Sequence, residues 1–247
     1  MKRAPRVVEL AGLAGAGKST IAGTLRQYSH QVLLEEPPYF RRIRDIPFFG
    51  WNTFRLLPTL FHLSHNKKGS RWLTGQEIAW MAVLQGWHRR FDRPLWNNGQ
   101  VIVLDQGPVF LLMMLHLHGP ETFRGPRAKE WWARTGKQWA DTLDTVIWLD
   151  AATATLVERI RARDVWHGVQ DKSTEDAVEY LGRYRESYGK VISLLTAHKD
   201  DLKVLAFDTA RESLDSVVDK LLLEFGLKVA PDSPAQQMDG RFQASQG

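Results

Sequence analysis

The stretch Gly12-Leu13-Ala14-Gly15-Ala16-Gly17-Lys18-Ser19, followed by Thr20, decides the fold of this chain. It fits the pattern G-x-x-x-x-G-K-[ST] at every fixed position. Glycines let the backbone curl so that successive N–H groups point at phosphate oxygens, and the first turn of a following helix adds partial positive charge. We therefore predict that a nucleoside triphosphate binds on this loop. The residues expected to hold it are Gly12, Ala14, Gly15, Ala16, Gly17, Lys18, Ser19 and Thr20.

Two side chains of the loop carry the chemistry that phosphate and metal need. The Lys18 ammonium can bridge the β- and γ-phosphates, and the Ser19 hydroxyl can ligate Mg²⁺. A glycine-rich turn with an incidental lysine is the alternative interpretation. The loop follows a predicted strand and opens a predicted helix, and this context favours nucleotide binding.

Apolar runs and helical patterns alternate through the rest of the chain. Continuous Val, Ile and Leu runs predict strands buried on both faces, and apolar residues three and four apart predict helices. The predicted strands are 6–11, 32–34, 101–104, 145–149 and 202–207. The predicted helices are 18–28, 76–91, 129–142, 153–163, 174–198 and 213–225. The alternation predicts an α/β fold of the three-layer P-loop NTPase type, with a mostly parallel central sheet, helices on both faces and a helical lid.

The 247 residues predict one domain, residues 1–227, followed by a short tail. Residues 39–75 are aromatic and interrupted by prolines, and we interpret them as an insertion or as a flap over an acceptor. Their most apolar part, 46–63, could wall an acceptor pocket, stack on a base, touch a membrane or pack as a helical flap on the core. Residues 159–170 are the predicted lid. Residues 228–247 are rich in Pro, Gln, Ser and Gly, which predicts disorder.

Composition narrows the class of protein. The absence of cysteine excludes disulfides, thiol catalysis and cysteine zinc sites, and it fits a cytoplasmic protein. The longest apolar run, 109–115, is far shorter than the ~20 residues that cross a bilayer, so we predict no transmembrane segment. The net charge of +5 is spread over short clusters such as 41–44. Nucleic acid is therefore a partner that we consider but do not favour. Helix 76–91 is one place where a homodimer could form.

Three further features bear on the choice between hydrolysis and phosphoryl transfer. Asp105 directly follows the strand 101–104 and is placed to support Mg²⁺. Its neighbour is Gln106, and a glutamine can orient water in some GTPases. Glu36 follows the second strand and can act as a base toward an acceptor hydroxyl. Arg159 and Arg163 are four residues apart on a predicted helix, so they share a face and are expected to close over the γ-phosphate.

These residues together resemble the nucleoside and nucleotide kinase group of P-loop enzymes, the deoxynucleoside kinases and thymidylate kinases. In that group the P-loop is followed by a strand ending in Glu-Pro, a strand ending in an acidic-Arg pair, and a lid that carries arginines. The matching segments here, in the same order between residues 6 and 225, are 12–19, Glu36-Pro37, 98–105, and Arg159 with Arg163. The resemblance implies ATP and Mg²⁺ as the donor pair and a small molecule as the acceptor.

Two departures from the group pattern affect the expected acceptor. Gln106 stands where the group has arginine, and Val165 stands where the lid would carry a further arginine. An amide replaces a bidentate arginine–phosphate contact poorly, so a neutral hydroxyl acceptor is favoured over one that already carries phosphate. Arginines in 41–44 could compensate.

The sequence therefore predicts an ATP-dependent phosphotransferase that acts on a small-molecule hydroxyl or phosphate, with a nucleoside or nucleotide favoured. The predicted catalytic residues are Lys18, Glu36, Asp105, Arg159 and Arg163, and the predicted Mg²⁺ ligands are Ser19 and Asp105. The main alternative is a nucleotide-binding switch or ATPase that acts on a protein or nucleic-acid partner. A polynucleotide 5′-kinase is a third hypothesis, suggested by the basic charge.

Overall fold

A five-stranded, fully parallel sheet forms the centre of the computed structural model, which describes residues 5–64, 71–91, 99–164 and 167–228. The strands are β1 (Arg6–Gly12), β2 (Val32–Glu35), β3 (Val101–Asp105), β4 (Thr145–Asp150) and β5 (Lys203–Asp208). Their order across the sheet is β2-β3-β1-β4-β5. All five correspond to predicted strands, and the α/β class is confirmed.

Eight α-helices pack around this sheet in the described residues. They are α1 (Lys18–Tyr28), α2 (Ile46–Ser64), α3 (Gly75–Gly86), α4 (Pro108–His118), α5 (Lys129–Thr142), α6 (Thr153–Arg161), α7 (Thr174–Thr196) and α8 (Leu214–Phe225). Helix α1 packs against α8, whereas α4 packs against α7 and α3. The continuous apolar strands are buried between these groups, as a parallel sheet requires.

The register of the central strand brings the phosphate loop beside Asp105. Leu10 of β1 lies opposite Asp105 of β3, and Gly12 lies opposite Leu149 of β4. The carboxyl ends of the three middle strands therefore meet at one edge of the sheet. This is the edge where ligands of open α/β sheets bind.

The structure corrects the ends of three predicted helices. The helix predicted over 76–91 is α3, which ends at Gly86, and a short 3₁₀ helix at Trp87–Arg90 continues it. Trp87 is completely buried there. Helix α6 ends at Arg161 rather than at 163, and α7 ends at Thr196.

Two helices did not follow from the periodicity. Helix α4 is apolar on every side except at its C-terminal histidines, so its sequence carries no amphipathic signal. Helix α2 continues through Pro58, a residue that removes one backbone hydrogen bond and usually ends a helix. Both helices are held by tertiary packing, α2 against α3 and α4 against α7.

Some predictions fall outside the described residues. These are the tail from residue 229 onward, Val165 of the predicted lid, and the first four residues. Across the ranges that are described, no helix has both the length and the apolar character to cross a membrane.

Candidate active site

The phosphate loop joins β1 directly to α1, as predicted. Gly12 has φ +150°, and a Cβ atom there would collide with the backbone oxygen of Leu149. Gly17 caps the start of α1 in the left-handed conformation with φ +86°. Both positions therefore require glycine, and the curled loop presents the N-terminus of α1 to the cleft above it.

Lys18 folds back over the loop that precedes it. Its Nζ donates hydrogen bonds to the backbone oxygens of Gly12 at 2.8 Å and Leu13 at 2.9 Å. Burial of the ammonium group lowers the pKa of Lys18 to about 8; the nearby Asp105 opposes this shift, whereas Arg163 adds to it. An anionic phosphate at this position would favour the charged lysine and would supply a stronger hydrogen-bond acceptor than a backbone carbonyl.

Ser19 and Asp105 meet across the cleft. The Ser19 hydroxyl donates to Asp105 Oδ2 at 2.7 Å, and Asp105 Oδ1 is buried with no hydrogen-bond partner in the described structure. A buried carboxylate oxygen without a partner is costly, and a cation would satisfy it. Mg²⁺ is usually bound by one or two protein oxygens together with substrate phosphates, so these two residues fit it.

The two predicted lid arginines have different positions. Because α6 ends at Arg161, Arg163 lies beyond the helix, and the prediction that both arginines share a helix face is wrong. Arg163 lines the cleft near Lys18. Arg159 instead donates to Thr209, with Nη1 at 3.0 Å from Oγ1 and Nη2 at 2.8 Å from the carbonyl, and more weakly to the Gly15 carbonyl.

The predicted base, Glu36, is not among the residues that line the cleft. Its side chain is 71% exposed and pairs with Arg42 at 2.5 Å. Glu35, at the end of β2, is half-buried, and burial raises its pKa, although Arg90 and Arg44 oppose the shift. A pair as exposed as Glu36 and Arg42 is weak, so either side chain can leave it at little cost.

The loop, Asp105 and Arg163 line one cleft of about 590 Å³, a size typical of ligand sites. The far wall comes from α4 and α7. It consists of Phe110, Met113, Met114, Tyr180, Leu181, Tyr184 and Tyr188, together with His167. The Tyr180 hydroxyl donates to the Tyr184 hydroxyl at 2.8 Å, and His118 Nε2 lies 2.6 Å from that same oxygen.

Glu9, an ionisable residue in the middle of β1, interacts electrostatically with Asp105, which lines the cleft. Glu9 is fully buried, and its carboxylate accepts from the backbone N–H groups of Val109 at 2.8 Å and Phe110 at 3.0 Å at the start of α4. Burial raises the pKa of Glu9 to about 8, against the lowering effect of these two hydrogen bonds. Glu9 therefore fixes the first turn of α4.

The architecture has known counterparts among solved structures. A thymidylate kinase from Candida albicans superimposes with a TM-score of 0.51 over 93% of this chain and 96% of its own, at 13% sequence identity. The fold is that of the P-loop nucleoside and nucleotide kinases. Deoxyadenosine kinase from M. mycoides, solved with bound dATP, matches with a TM-score of 0.47 over 92% of this chain and 100% of its own, at 14% identity. No protein-family model matches the chain, and no curated sequence does.

Within this kinase fold, sequence reasoning missed the far wall of the cleft. Tyr180, Tyr184 and Tyr188 follow one another at intervals of four on α7, so they form one stripe of the helix. That spacing was available as a signal in the sequence. Gln106 is a second unusual feature, because its φ is +60° although it is not glycine. Strain of this kind is found at functional sites, and Gln106 lines the cleft.

Proposed function

We propose that this protein is an ATP-dependent kinase that transfers the γ-phosphoryl group to a hydroxyl of a small molecule. One observation carries the proposal. The cleft above the phosphate loop continues to the aromatic wall of α4 and α7, so there is room for an acceptor next to the end of a bound triphosphate. A nucleoside is the favoured acceptor, because a base can stack on aromatic rings while its sugar hydroxyl faces the loop.

The donor side follows from the loop. Its backbone N–H groups and Lys18 would hold the β- and γ-phosphates, and Ser19 and Asp105 would hold Mg²⁺. Bound Mg²⁺ would neutralise charge on the β- and γ-phosphate oxygens. Arg163 would balance the charge that develops on the transferred group, because it reaches the cleft close to Lys18.

Glu36 remains our proposed base for the acceptor hydroxyl. In this role it would leave Arg42 and turn toward the cleft when an acceptor binds. The exposed pairing in the structure makes that exchange inexpensive. Gln106 in place of a phosphate-binding arginine favours a neutral hydroxyl over a phosphorylated acceptor.

A hydrolytic switch is the second candidate, and Gln106 is the observation that favours it. A glutamine beside a bound γ-phosphate can position water. Its exposed side chain at the cleft is available for this role.

A screen for ATP-dependent phosphorylation separates the two candidates. Nucleosides, nucleoside monophosphates and non-nucleotide alcohols would be incubated with the protein, ATP and Mg²⁺, and phosphorylated products would be measured by mass spectrometry. We expect at least one nucleoside to be phosphorylated, and Lys18→Ala to reduce the rate by about a thousandfold or more, since it removes a cation from the transferred phosphate. ATP hydrolysis that no acceptor changes would support the switch instead. An unchanged melting temperature of Lys18→Ala would show that the fold is intact.

A further inference from the structure

Exposed apolar side chains are concentrated in one segment of the described chain. Thirteen large hydrophobic side chains are exposed among the described residues, and nine of them lie between Tyr39 and Trp72. Single exposed hydrophobic residues need no explanation, but a contiguous cluster marks an interaction surface. None of the nine lines the cleft above the phosphate loop.

Helix α2 supplies the centre of this cluster. Its outward side chains, which we call the α2 face, are Ile46, Trp51, Phe54, Leu57 and Phe61, and they are between 39% and 66% exposed. Trp51 and Phe54 stack with ring centroids 6.3 Å apart. The inner side of the helix is buried through Asn52, Leu56 and Leu63, and α2 packs against α3. The helix is thus apolar on both sides, and the residues that the structure describes cover one of them.

Three exposed arginines lie on α2 or in the turn just before it. Arg55 is exposed and lies four residues after Trp51, on the same side of the helix. Arg41 and Arg44 are exposed in the turn just before the helix. Helix α2 contains no Asp or Glu, and the preceding Asp45 is buried, where it pairs with Arg90. The face therefore combines aromatic side chains with arginines and has no acidic side chain of its own.

We propose that the α2 face binds the surface of an anionic lipid bilayer. The aromatic rings would enter the boundary between headgroups and acyl chains, and Arg41, Arg44 and Arg55 would contact lipid phosphates. Tryptophan and phenylalanine on one side of a helix, with basic residues beside them, are the composition of helices that lie in a membrane interface. Docking in this way needs no spanning helix.

A second copy of this chain is a less suitable occupant of the same face. In a symmetric dimer the same patch meets itself, so the arginines of the two copies would approach one another. The face carries no carboxylate to balance them. An anionic bilayer instead satisfies both the apolar rings and the positive charges.

Vesicle sedimentation tests the proposal with the full chain. One vesicle population contains phosphatidylcholine alone, and the other contains equal parts of phosphatidylcholine and phosphatidylglycerol. We expect the protein to sediment with the anionic vesicles, to sediment much less with the neutral ones, and to be released as salt is raised. Replacing Arg55 with glutamine should weaken binding by about fivefold, the effect of one charge near an anionic surface.

A matched pair of apolar substitutions tests the specific surface. Trp51→Ser combined with Phe54→Ser should weaken vesicle binding by about tenfold or more, because two interfacial aromatic rings are lost. Leu223→Ser is the control, since Leu223 is 84% exposed on α8 and lies outside the α2 face. It should bind vesicles as the unchanged protein does. Circular dichroism would confirm that all variants keep their helical content.

Three results would overturn the proposal. The first is equal sedimentation with neutral and anionic vesicles, or none with either. The second is an equal loss of binding in Leu223→Ser and in the Trp51 and Phe54 double variant. The third is a dimer in sedimentation velocity that the double variant dissociates, without any vesicle binding, which would assign the face to a second copy.

Discussion

The phosphate loop and the α2 region contrast in how far their side chains are fixed. Around the loop, Lys18, Ser19 and Asp105 all have short hydrogen bonds, and the backbone follows from glycines at set positions. Between residues 39 and 64, most of the rings of α2 are exposed. Arg42 is exposed as well, and it pairs with the exposed Glu36. The phosphate loop is built from consecutive residues, and tertiary packing brings Asp105 and Arg163 to it. The far wall of the cleft gathers α4 and α7, which are distant in sequence.

The two arginines near the lid give the largest expected contrast on the donor side. Arg163→Ala should lower kcat by about a thousandfold, the lower end of the effect of a charge-balancing arginine. Arg159→Ala is the matched control, because Arg159 is bound to Thr209 and lies outside the cleft lining. Arg159→Ala should lower the melting temperature, and it should retain more of the kcat of the unchanged protein than Arg163→Ala does. The measurements are single-turnover rates and thermal melts of both variants, and equal losses of kcat would contradict the different positions.

Neighbouring glutamates test the acceptor side. Glu36→Gln should lower kcat by about a hundredfold with little change in ATP affinity, because a general base acts only on the acceptor. Glu35→Gln is its control at the end of β2, because Glu35 interacts electrostatically with Arg90 and Arg44 and does not line the cleft. It should change stability more than kcat. The decisive measurements are kcat and the Kd for ATP. An equal fall of kcat and of ATP affinity in Glu36→Gln would exclude the base role.

Glu9 offers a smaller effect, on stability rather than on rate. Glu9→Ala leaves the N–H groups of Val109 and Phe110 without their acceptor and should cost about 1–3 kcal/mol of unfolding free energy. Because burial raises the pKa of Glu9 from 4.5 to about 8, the folded state holds a proton that the unfolded chain releases in this range. The contribution of Glu9 to stability is therefore fully present below pH 4.5 and is lost as the pH rises through 8.

Urea unfolding of the unchanged protein and of Glu9→Gln at several pH values checks the linkage. Glutamine keeps the shape and one acceptor, so the cost should be smaller than for alanine. The difference in unfolding free energy between the two proteins should shift with pH, with the unchanged protein losing stability as the pH rises. Unfolding free energies that change with pH in the same way in both proteins would show that Glu9 does not take up the proton.

Sequence patterns predicted much of the fold, and the misses have physical causes. All five strands are present near their predicted bounds, because buried parallel strands are runs of Val, Ile and Leu. Helix α4 was missed because an apolar helix has no periodic signal. Helix α2 covers the segment 46–63, for which a helical flap packed on the core was one of the interpretations, although Pro58 lies within it. Three of the predicted site residues, Ala16, Glu36 and Arg159, lie outside the cleft lining, since a sequence shows the order of residues but not the direction in which a side chain points.

The sequence by itself determined the phosphate loop and the strand that ends in Asp105. Loop geometry depends on glycines and on a helix start that are adjacent in the chain, and the strand depends on local apolar content, so short-range rules suffice. Only the tertiary structure decided that Ser19 donates to Asp105, that Arg163 and not Arg159 lines the cleft, and that α4 and α7 form its far wall. These contacts join residues far apart in the chain, and they exist because the sheet and its helices bury a common core.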